Sequence, residues 1–479
     1  MTLALWNQVV TTLEAPSTPP ENFIKIPGIP SSTATGLAAF AGISAKQYAT
    51  IEQMTDDGFA ESSFEVLSAT NFLAQDTPQG EAVTRWVVIA LQPFVAQVDE
   101  FTVEASDDGT YELYLAPAIG LSPTLAASFV AAANTVTEIK DGLIISFNGG
   151  AFAADFTAAD VDVDSGSVTA NTAGQAFVLT GEGPNGTSDI TVLNLTPNSG
   201  PADSLDPGFE EEPFWGVIPE PGIADGLWYE YSRWAEDSPG VFSTRRNVLF
   251  LQTSEAGIID PLDTDNLALT LQVLQRKRTF GVYHVSDSDY MSASVFGLYG
   301  GQQAGRRAFH LREIIGTTLV GPGTLGPDVF TLAVGMLLKE RNFGWIERDG
   351  NANTDPARFA WGQGSGGFFA EQVQAEDFWW FDVSNGMLEI QASEDGWTLD
   401  GPGIQKLVAR VKQSNDTLAS FNPPVVDSNN TSVTFVPLSE VPLSEQAVGD
   451  YQTTGRVTSV ATLIPRGRSL RVDGVFPTA

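Results

Sequence analysis

The sequence predicts an α/β (α+β) chain: a core of mixed sheet flanked by helices, an inserted β-rich outer domain, and extended terminal arms. Three observations predict it. Residues 222–425 alternate β-branched or aromatic runs with amphipathic helical stripes, the pattern of a sheet covered by helices. Residues 96–214 shift to Asp, Thr, Gly and Ala, with Lys140 as their only base. Both ends leave the pattern: the first is apolar then Pro-rich, and the last is basic and strand-forming. The expected division is an arm and linker at 1–28, a core at 29–95 and 215–425, an inserted surface domain at 96–214, and C-terminal strands and arm at 426–479.

In chain order, Leu3 to Val10 is apolar, and Ala15-Pro-Ser-Thr-Pro-Pro20 reads as an extended linker. Thr35 to Gly42 reads as a short buried strand. Phe64, Leu67 and Phe72 stand near helical spacing, and Arg85 to Leu91 reads as a strand. In the insertion, Phe101–Glu104 and Tyr111–Leu115 flank Asp107-Asp108-Gly109, which predicts a hairpin. Ser122-Pro123 reads as the start of an Ala-rich helix to Val136. Leu143–Phe147, Ala176–Leu179 and Ile190–Leu195 read as strands, and the Pro-rich run 201–221 returns the chain to the core. Beyond it, Asn247–Gln252, Thr279–Val285 and Asn342–Glu347 read as strands. Leu267, Leu271 and Leu274 mark a helix, and Pro327-Asp328 opens another through Leu332, Met336 and Leu337. Ile404, Leu407, Val408 and Val411 form a core-facing helical stripe. Arg456–Ile464 and Ser469–Phe476 close the chain as two strands.

Composition excludes several function classes. The formal net charge is -35, from 24 basic and 59 acidic residues. Such a surface repels nucleic acid and anionic lipid and keeps a concentrated protein soluble. With no cysteine and two histidines, His284 and His310, neither a thiolate metal site nor a His-rich one is expected. The N-terminus lacks the charged start and cleavage site of a signal peptide, and no apolar run reaches about 18 residues. A soluble protein made without export is expected, with no cofactor, no metal and no catalytic residue.

Each motif with a chemical reading has a plainer one beside it. Asp160-Val-Asp-Val-Asp164 begins like a calcium loop, but Ser165 and Asn171 occupy the positions that need Gly and Glu. It reads instead as a strand with valines inward. Gly362-Gln-Gly-Ser-Gly-Gly367 lacks the Lys of a phosphate loop and the serine spacing of a nucleophile elbow, so it reads as a flexible loop. His284 and His310 have no nucleophile motif nearby and read as structural. Paired acids such as Glu376-Asp377 arise by chance among 59 acids. Phe378-Trp-Trp-Phe381 reads as core or subunit interface sooner than as a sugar platform.

The termini contrast in charge. After Asp450 the chain carries Arg456, Arg466, Arg468 and Arg471 against one acid, Asp473, while the first 24 residues carry two acids and no base. A basic, strand-forming tail and an acidic, apolar head suggest exchange between copies. The arm candidates are Leu3, Leu5, Trp6 and Val9 at one end, and Arg466, Arg468, Leu470, Arg471, Val472 and Val475 at the other. The tail strand is expected to add to a neighbour's sheet, with Leu470 and Val472 filling pockets.

From about residue 222 onward the chain resembles contractile phage tail sheath proteins, through features in one order. Gly226-Leu-Trp-Tyr229 resembles that family's Trp-Tyr start to a core strand, and Phe250-Leu-Gln-Thr-Ser254 its next strand. Arg278-Thr-Phe-Gly-Val-Tyr-His284 resembles its Arg-Thr-x-x-x-Tyr-His strand. Lys339-Glu-Arg-Asn-Phe343 is similar to its helix-to-strand passage. Gly396-Trp-Thr-Leu-Asp-Gly-Pro-Gly-Ile404 resembles its Tyr-Thr-Asp-x-Gly-Ile turn, loosened by Leu399 and Pro402. Ser469-Leu-Arg-Val-Asp-Gly474 resembles its closing segment, without that segment's His. Tyr48–Asp57 and Phe72-Leu-Ala-Gln75 fit the family's N-terminal part.

The resemblance implies a structural, non-enzymatic subunit of a virion. Copies would stack as hexameric rings around a tail tube, linked by terminal arms that add strands to neighbours. Contraction would drive the tube into the host envelope. The implied partners are the chain itself, the tail tube protein, and baseplate and tail-terminator or neck proteins, with no direct nucleic acid and no membrane insertion. Assembly in the host cytoplasm is implied. The alternatives are another tail or baseplate protein, or an acidic hydrolase using paired carboxylates.

Overall fold

The computed structural model describes residues 26–75, 86–118, 121–197, 200–236, 246–300, 312–314, 332–348, 357–393, 401–420, 426–437, 455–463 and 470–478. Its first strand, β1 (Pro27–Ser31), is buried along its whole length. The stretch from Thr35 to Gly42, expected as a strand, instead lies in two 3-10 turns, Thr33–Gly36 and Ala38–Phe40. Hydroxyls there bond nearby backbone. Ser31 Oγ accepts from the Ala34 N–H at 2.9 Å, and Thr35 Oγ1 donates to Ser32 O at 2.6 Å. Such bonds compete with a sheet ladder. After β2 (Ala45–Tyr48) comes α1 (Ile51–Asp56), opened by a Thr50–Gln53 capping box. Ser63 caps α2 (Phe64–Leu73), and β3 (Val87–Leu91) follows.

Residues 98–196 gather around a hydrophobic cluster of their own, from Phe101 to Val192. The elements are β4 (Val98–Val103), β5 (Gly109–Ala116), β6 (Thr124–Ala131), α3 (Val136–Asn148), β7 (Phe156–Asp160), β8 (Ser165–Ala170), β9 (Val178–Glu182) and β10 (Ile190–Thr196). They form a four-stranded sheet, β10-β4-β8-β7, and a three-stranded sheet, β6-β5-β9. The expected hairpin across Asp107-Asp108-Gly109 is therefore not one: its strands lie in different sheets. The Tyr111 hydroxyl fixes the connection by donating to Ala105 O (3.0 Å) and accepting from the Asp107 N–H (2.9 Å). The Ala-rich stretch after Pro123 is strand β6, and the helix starts later, at a Thr135–Glu138 capping box. Leu143–Phe147 lies inside that helix. Ile139, Leu143 and Phe147, spaced four apart, form its buried stripe.

The Asp160–Asp164 segment is the turn from β7 to β8, and Val161 and Val163 point outward, not inward. The N–H groups of Val161 and Asp162 both donate to Ser165 O, and this tight turn sets the side-chain directions. Lys140 is buried beneath the turn. Its ammonium meets the Asp160 carboxylate, Asp162 O (2.9 Å) and Asp141 (3.1 Å). Two sheet edges here are covered. Along β6, Ser146 Oγ accepts from the Ser128 N–H at 3.1 Å. Along β7, Asn148 substitutes for a strand by donating to Ala158 O (2.8 Å) and accepting from the Ala158 N–H (2.9 Å).

The chain rejoins the core earlier than expected. The run after Gly200 is a helix, α4 (Pro201–Glu211), with proline at its first position. Leu205 and Phe214 already belong to the core cluster, so the expected boundary at 214 falls too late. β11 (Gly216–Val217) is only two residues long yet sits mid-sheet. Gly216 permits this, since a Cβ there would lie 2.1 Å from the Phe296 ring. Gly226-Leu-Trp-Tyr229, expected to open a strand, opens α5 (Asp225–Glu236) instead. The helix is buried nearly all round, with Leu227, Trp228, Tyr229, Tyr231 and Trp234 all in the core, and this tertiary packing outweighs the β preference of its aromatics.

The remaining elements begin with β12 (Val248–Thr253), α6 (Leu267–Val273), β13 (Thr279–Tyr283), α7 (Met291–Gly300), β14 (Arg312–Glu313), α8 (Leu332–Glu340), β15 (Phe343–Arg348) and β16 (Ala357–Ala360). Two long helices follow, α9 (Ala370–Ser393) and α10 (Gly401–Ala419), then β17 (Val426–Pro437), β18 (Gly455–Leu463) and β19 (Leu470–Thr478). Of these, β12, α6, β13, α8, β15, α10, β18 and β19 were expected, while α7, β14, β16, α9 and β17 were not read from the sequence. Pro327-Asp328 and His310 lie outside the described residues.

The main sheet is mixed and nine-stranded, in the order β14-β16-β15-β13-β12-β11-β1-β3-β2. From β15 to β3 neighbours run parallel, while β2, β14 and β16 pair antiparallel. Parallel strands buried on both faces read as continuous apolar runs. β12 shows the division: Val248 and Phe250 face one cluster with α2, α7, α9 and α10, while Leu249 and Leu251 face another with α4, α5, α6 and α8. The chain is thus a mixed α/β fold with helices on both faces of its main sheet.

Candidate assembly surfaces

β17, β18 and β19 form a separate antiparallel sheet in that order, packed beside α9 and α10. Val426 and Ala461 are buried in the larger core cluster, which holds this sheet to the helices. Among the described residues β17 and β19 each have one strand neighbour, so they are the outer strands of this sheet. β17 spans 12 residues and β19 spans nine, long enough for another strand to pair.

The tail candidates divide. Leu3, Leu5, Trp6, Val9, Arg466 and Arg468 lie outside the described residues. Leu470, Arg471, Val472 and Val475 lie on β19, opposite Leu463, Thr462, Ala461 and Thr458 of β18. The tail strand was expected to be donated to a neighbour's sheet; it pairs instead along its full length within its own chain. The short connection 464–469 makes that pairing local, and a local loop costs little entropy to close. Val472 stands opposite Ala461, which is buried. β17, the other outer strand of this sheet, was not among the arm candidates read from the sequence.

The helices under this sheet are fixed to the main sheet by a buried ion pair. Arg278, at the foot of β13, meets Asp377 of α9 in a two-pronged contact, Nη1 to Oδ2 at 2.9 Å and Nη2 to Oδ1 at 2.5 Å. Trp215 Nε1 donates to the same carboxylate at 2.8 Å, and Arg278 Nη1 also donates to Asn247 O at 3.2 Å. Burial alone would lower the Arg278 pKa, but the Asp377 charge overrides it and holds the guanidinium above its usual range. Glu376, next in line, accepts from Lys277 and from Arg246 at 3.3 Å. Its burial raises the carboxyl pKa, yet the charges of Lys277 and Arg278 bring the net shift below the usual range. The pair that looked like chance is therefore a structural anchor. A cation opening an apolar buried strand requires a partner, and that requirement was the available signal.

Three further bonds extend the anchor. The Tyr299 hydroxyl of α7 donates to Ala370 O at 2.5 Å, and Trp379 Nε1 donates to Asn415 Oδ1 of α10 at 2.6 Å. Gly386 lets the Arg410 side chain lie against α9, since a Cβ would fall 2.0 Å from its Nε. Phe378 to Phe381 are buried in the chain's own core. The Gly-rich loop 362–367 is packed and not loose: Ser365 and Gly366 donate backbone N–H groups to Thr279 O and Arg276 O at 2.9 and 2.7 Å. A Cβ at Gly364 would lie 2.8 Å from Thr279 O. His284 is buried, its Nδ1 2.9 Å from Ser286 O. Among the described residues no group of three or more His, Cys, Asp or Glu could hold a metal ion, and no helix is long and apolar enough to cross a membrane.

No protein-family model and no curated protein matches the chain. Among solved structures it is similar to a chain of the anti-feeding prophage baseplate, determined by cryo-EM with six-fold symmetry, at 10% identity and a TM-score of 0.34. That match covers 57% of this chain and 68% of the other. It is also similar to the contracted helical sheath of the same prophage, at 9% identity and a TM-score of 0.33, covering 56% and 67%. A likeness of this size fixes neither fold nor function.

Proposed function

We propose that the chain is a structural subunit of a contractile phage tail sheath, with no catalytic role. The observation that carries this reading is the order of sequence features, from Phe250-Leu-Gln-Thr-Ser254 through Arg278-Thr-Phe-Gly-Val-Tyr-His284 to the closing double strand. The terminal sheet supports it, because the chain ends in a strand-forming sheet of the kind that neighbouring copies can extend by strand addition. The Arg278–Asp377 anchor supports it too: a pull on the terminal sheet passes through α9 into the main sheet.

On this reading copies stack as hexameric rings around a tail tube and meet baseplate and tail-terminator or neck proteins at the ends. The subunit belongs to the virion and assembles in the host cytoplasm. The work of contraction comes from interface formed on contraction, stored at assembly as a kinetically trapped extended state. Negative-stain microscopy of the purified, concentrated protein tests this. Hollow cylinders are expected. Small closed rings would point to a baseplate component, and monomers at every concentration would defeat the proposal.

A further inference from the structure

The outward face of the β6-β5-β9 sheet breaks a pairing rule at its centre. Glu112 of β5 stands directly opposite Glu182 of β9. Like charges facing each other across antiparallel strands are destabilising. Both carboxylates converge on one hydroxyl, with Tyr114 Oη 2.6 Å from Glu112 Oε2 and 3.0 Å from Glu182 Oε1. These hydrogen bonds, Glu112 first, hold the phenol proton above its usual range. A phenol has one hydrogen to give, so it serves one of the two carboxylates at a time. Lys140, the only base between residues 96 and 214, is already committed to Asp160, Asp162 and Asp141.

The same face carries apolar side chains. Val130, Leu125 and Val178 are 70%, 51% and 38% exposed, opposite Thr110, Tyr114 and Ala116 of β5. The alternate positions Tyr111, Leu113 and Leu115 are fully buried beneath. An open sheet face thus combines exposed aliphatic residues, a half-exposed aromatic ring and two carboxylates with one shared hydrogen.

We propose that this face docks an arginine-bearing segment of a partner protein. A guanidinium offers several N–H donors in a planar fork, can bridge Glu112 and Glu182, and stacks on an aromatic ring such as Tyr114. Leu125, Val130 and Val178 flank it and cover the aliphatic stem. A lysine ammonium cannot reproduce the fork, so arginine is preferred.

The test uses the full chain and a fluorescein-labelled Gly-Ser-Arg-Gly-Arg-Ser-Gly peptide, with the lysine version beside it, read by anisotropy at physiological salt. Saturable binding is expected, stronger for the arginine peptide. Glu112→Gln and Glu182→Gln should each weaken it about tenfold, the loss of one charge-assisted contact. Glu61→Gln removes the same charge from the exposed connection between α1 and α2 and should leave binding unchanged. Glu182→Arg supplies the cation internally; it should abolish binding while raising the melting temperature, which also shows that the variant folds. Equal losses for Glu61→Gln and Glu182→Gln would reduce the effect to overall acidity and overturn the proposal. Absence of saturable binding, or undiminished binding by Glu182→Arg, would overturn it as well.

Discussion

Asp377 shows how much one side chain can organise. It accepts from Arg278 and Trp215, and both it and Arg278 are buried. Removing one member of a buried pair leaves an uncompensated charge, at a cost of about 3–5 kcal/mol. Asp377→Ala should therefore lower stability by that amount in denaturant titration, a large share of the roughly 5–15 kcal/mol that holds a typical domain. Asp377→Asn keeps the shape and loses the charge, so it should fall between. The double replacement Arg278→Met with Asp377→Leu should recover part of the loss, because two apolar groups leave no charge behind. A loss below about 1 kcal/mol for Asp377→Ala would mean that water reaches the pair. Arg278 was legible in the sequence as the start of a strand. Its partner, 99 positions away, was not, because no local pattern marks which of 59 acids faces a given base.

At the scale of elements, legibility followed periodicity. β12 and β13 were readable because continuous apolar runs bounded by polar residues suit parallel strands buried on both faces. α10 was readable from its stripe: Leu407 and Val411 are buried and Val408 partly so. The failures came where composition and period disagreed. β6 is Ala-rich yet extended, and α5 is rich in aromatics yet helical. For the candidate surface, sequence showed that the last segment is a strand, but not which chain it pairs with. Pairing within the chain makes truncation a direct test of β19. Ending the chain after Pro465 removes β19, the strand that pairs with β18 along its whole length. A folded core with an unchanged helical circular dichroism signal is expected, together with loss of cylinders in micrographs. Normal cylinders from the truncated protein would show that β19 contributes nothing to assembly.

For the whole molecule, the insertion between β3 and α4 is the main question. It has its own hydrophobic cluster, yet it also touches the core. Gln175 is buried against Gly226 at the start of α5, and the rings of Phe94 and Tyr231 lie 6.2 Å apart. Composition revealed the insertion as a whole; its late boundary came from reading α4 as a Pro-rich linker. A deletion through residue 214 would remove Leu205 and Phe214 from the core and is expected to unfold it. Replacing 98–196 with a Gly/Ser linker spares both. That shorter deletion should give a folded, slightly less stable protein that still assembles, measured by thermal melting and microscopy. Failure to assemble with the core intact would mean that the insertion holds neighbours together.

Lys140 has one more consequence, concerning proteolysis. Between Arg85 and Arg233 it is the only residue after which trypsin can cut, and in the native fold it is buried beneath the Asp160–Asp164 turn. A brief tryptic digest should therefore leave residues 86–233 in one piece, however thoroughly the rest is nicked. Warming the sample should bring a single new cut, after Lys140, once α3 lifts from the β7–β8 turn. Mass spectrometry of that fragment would time the opening of the insertion without any label.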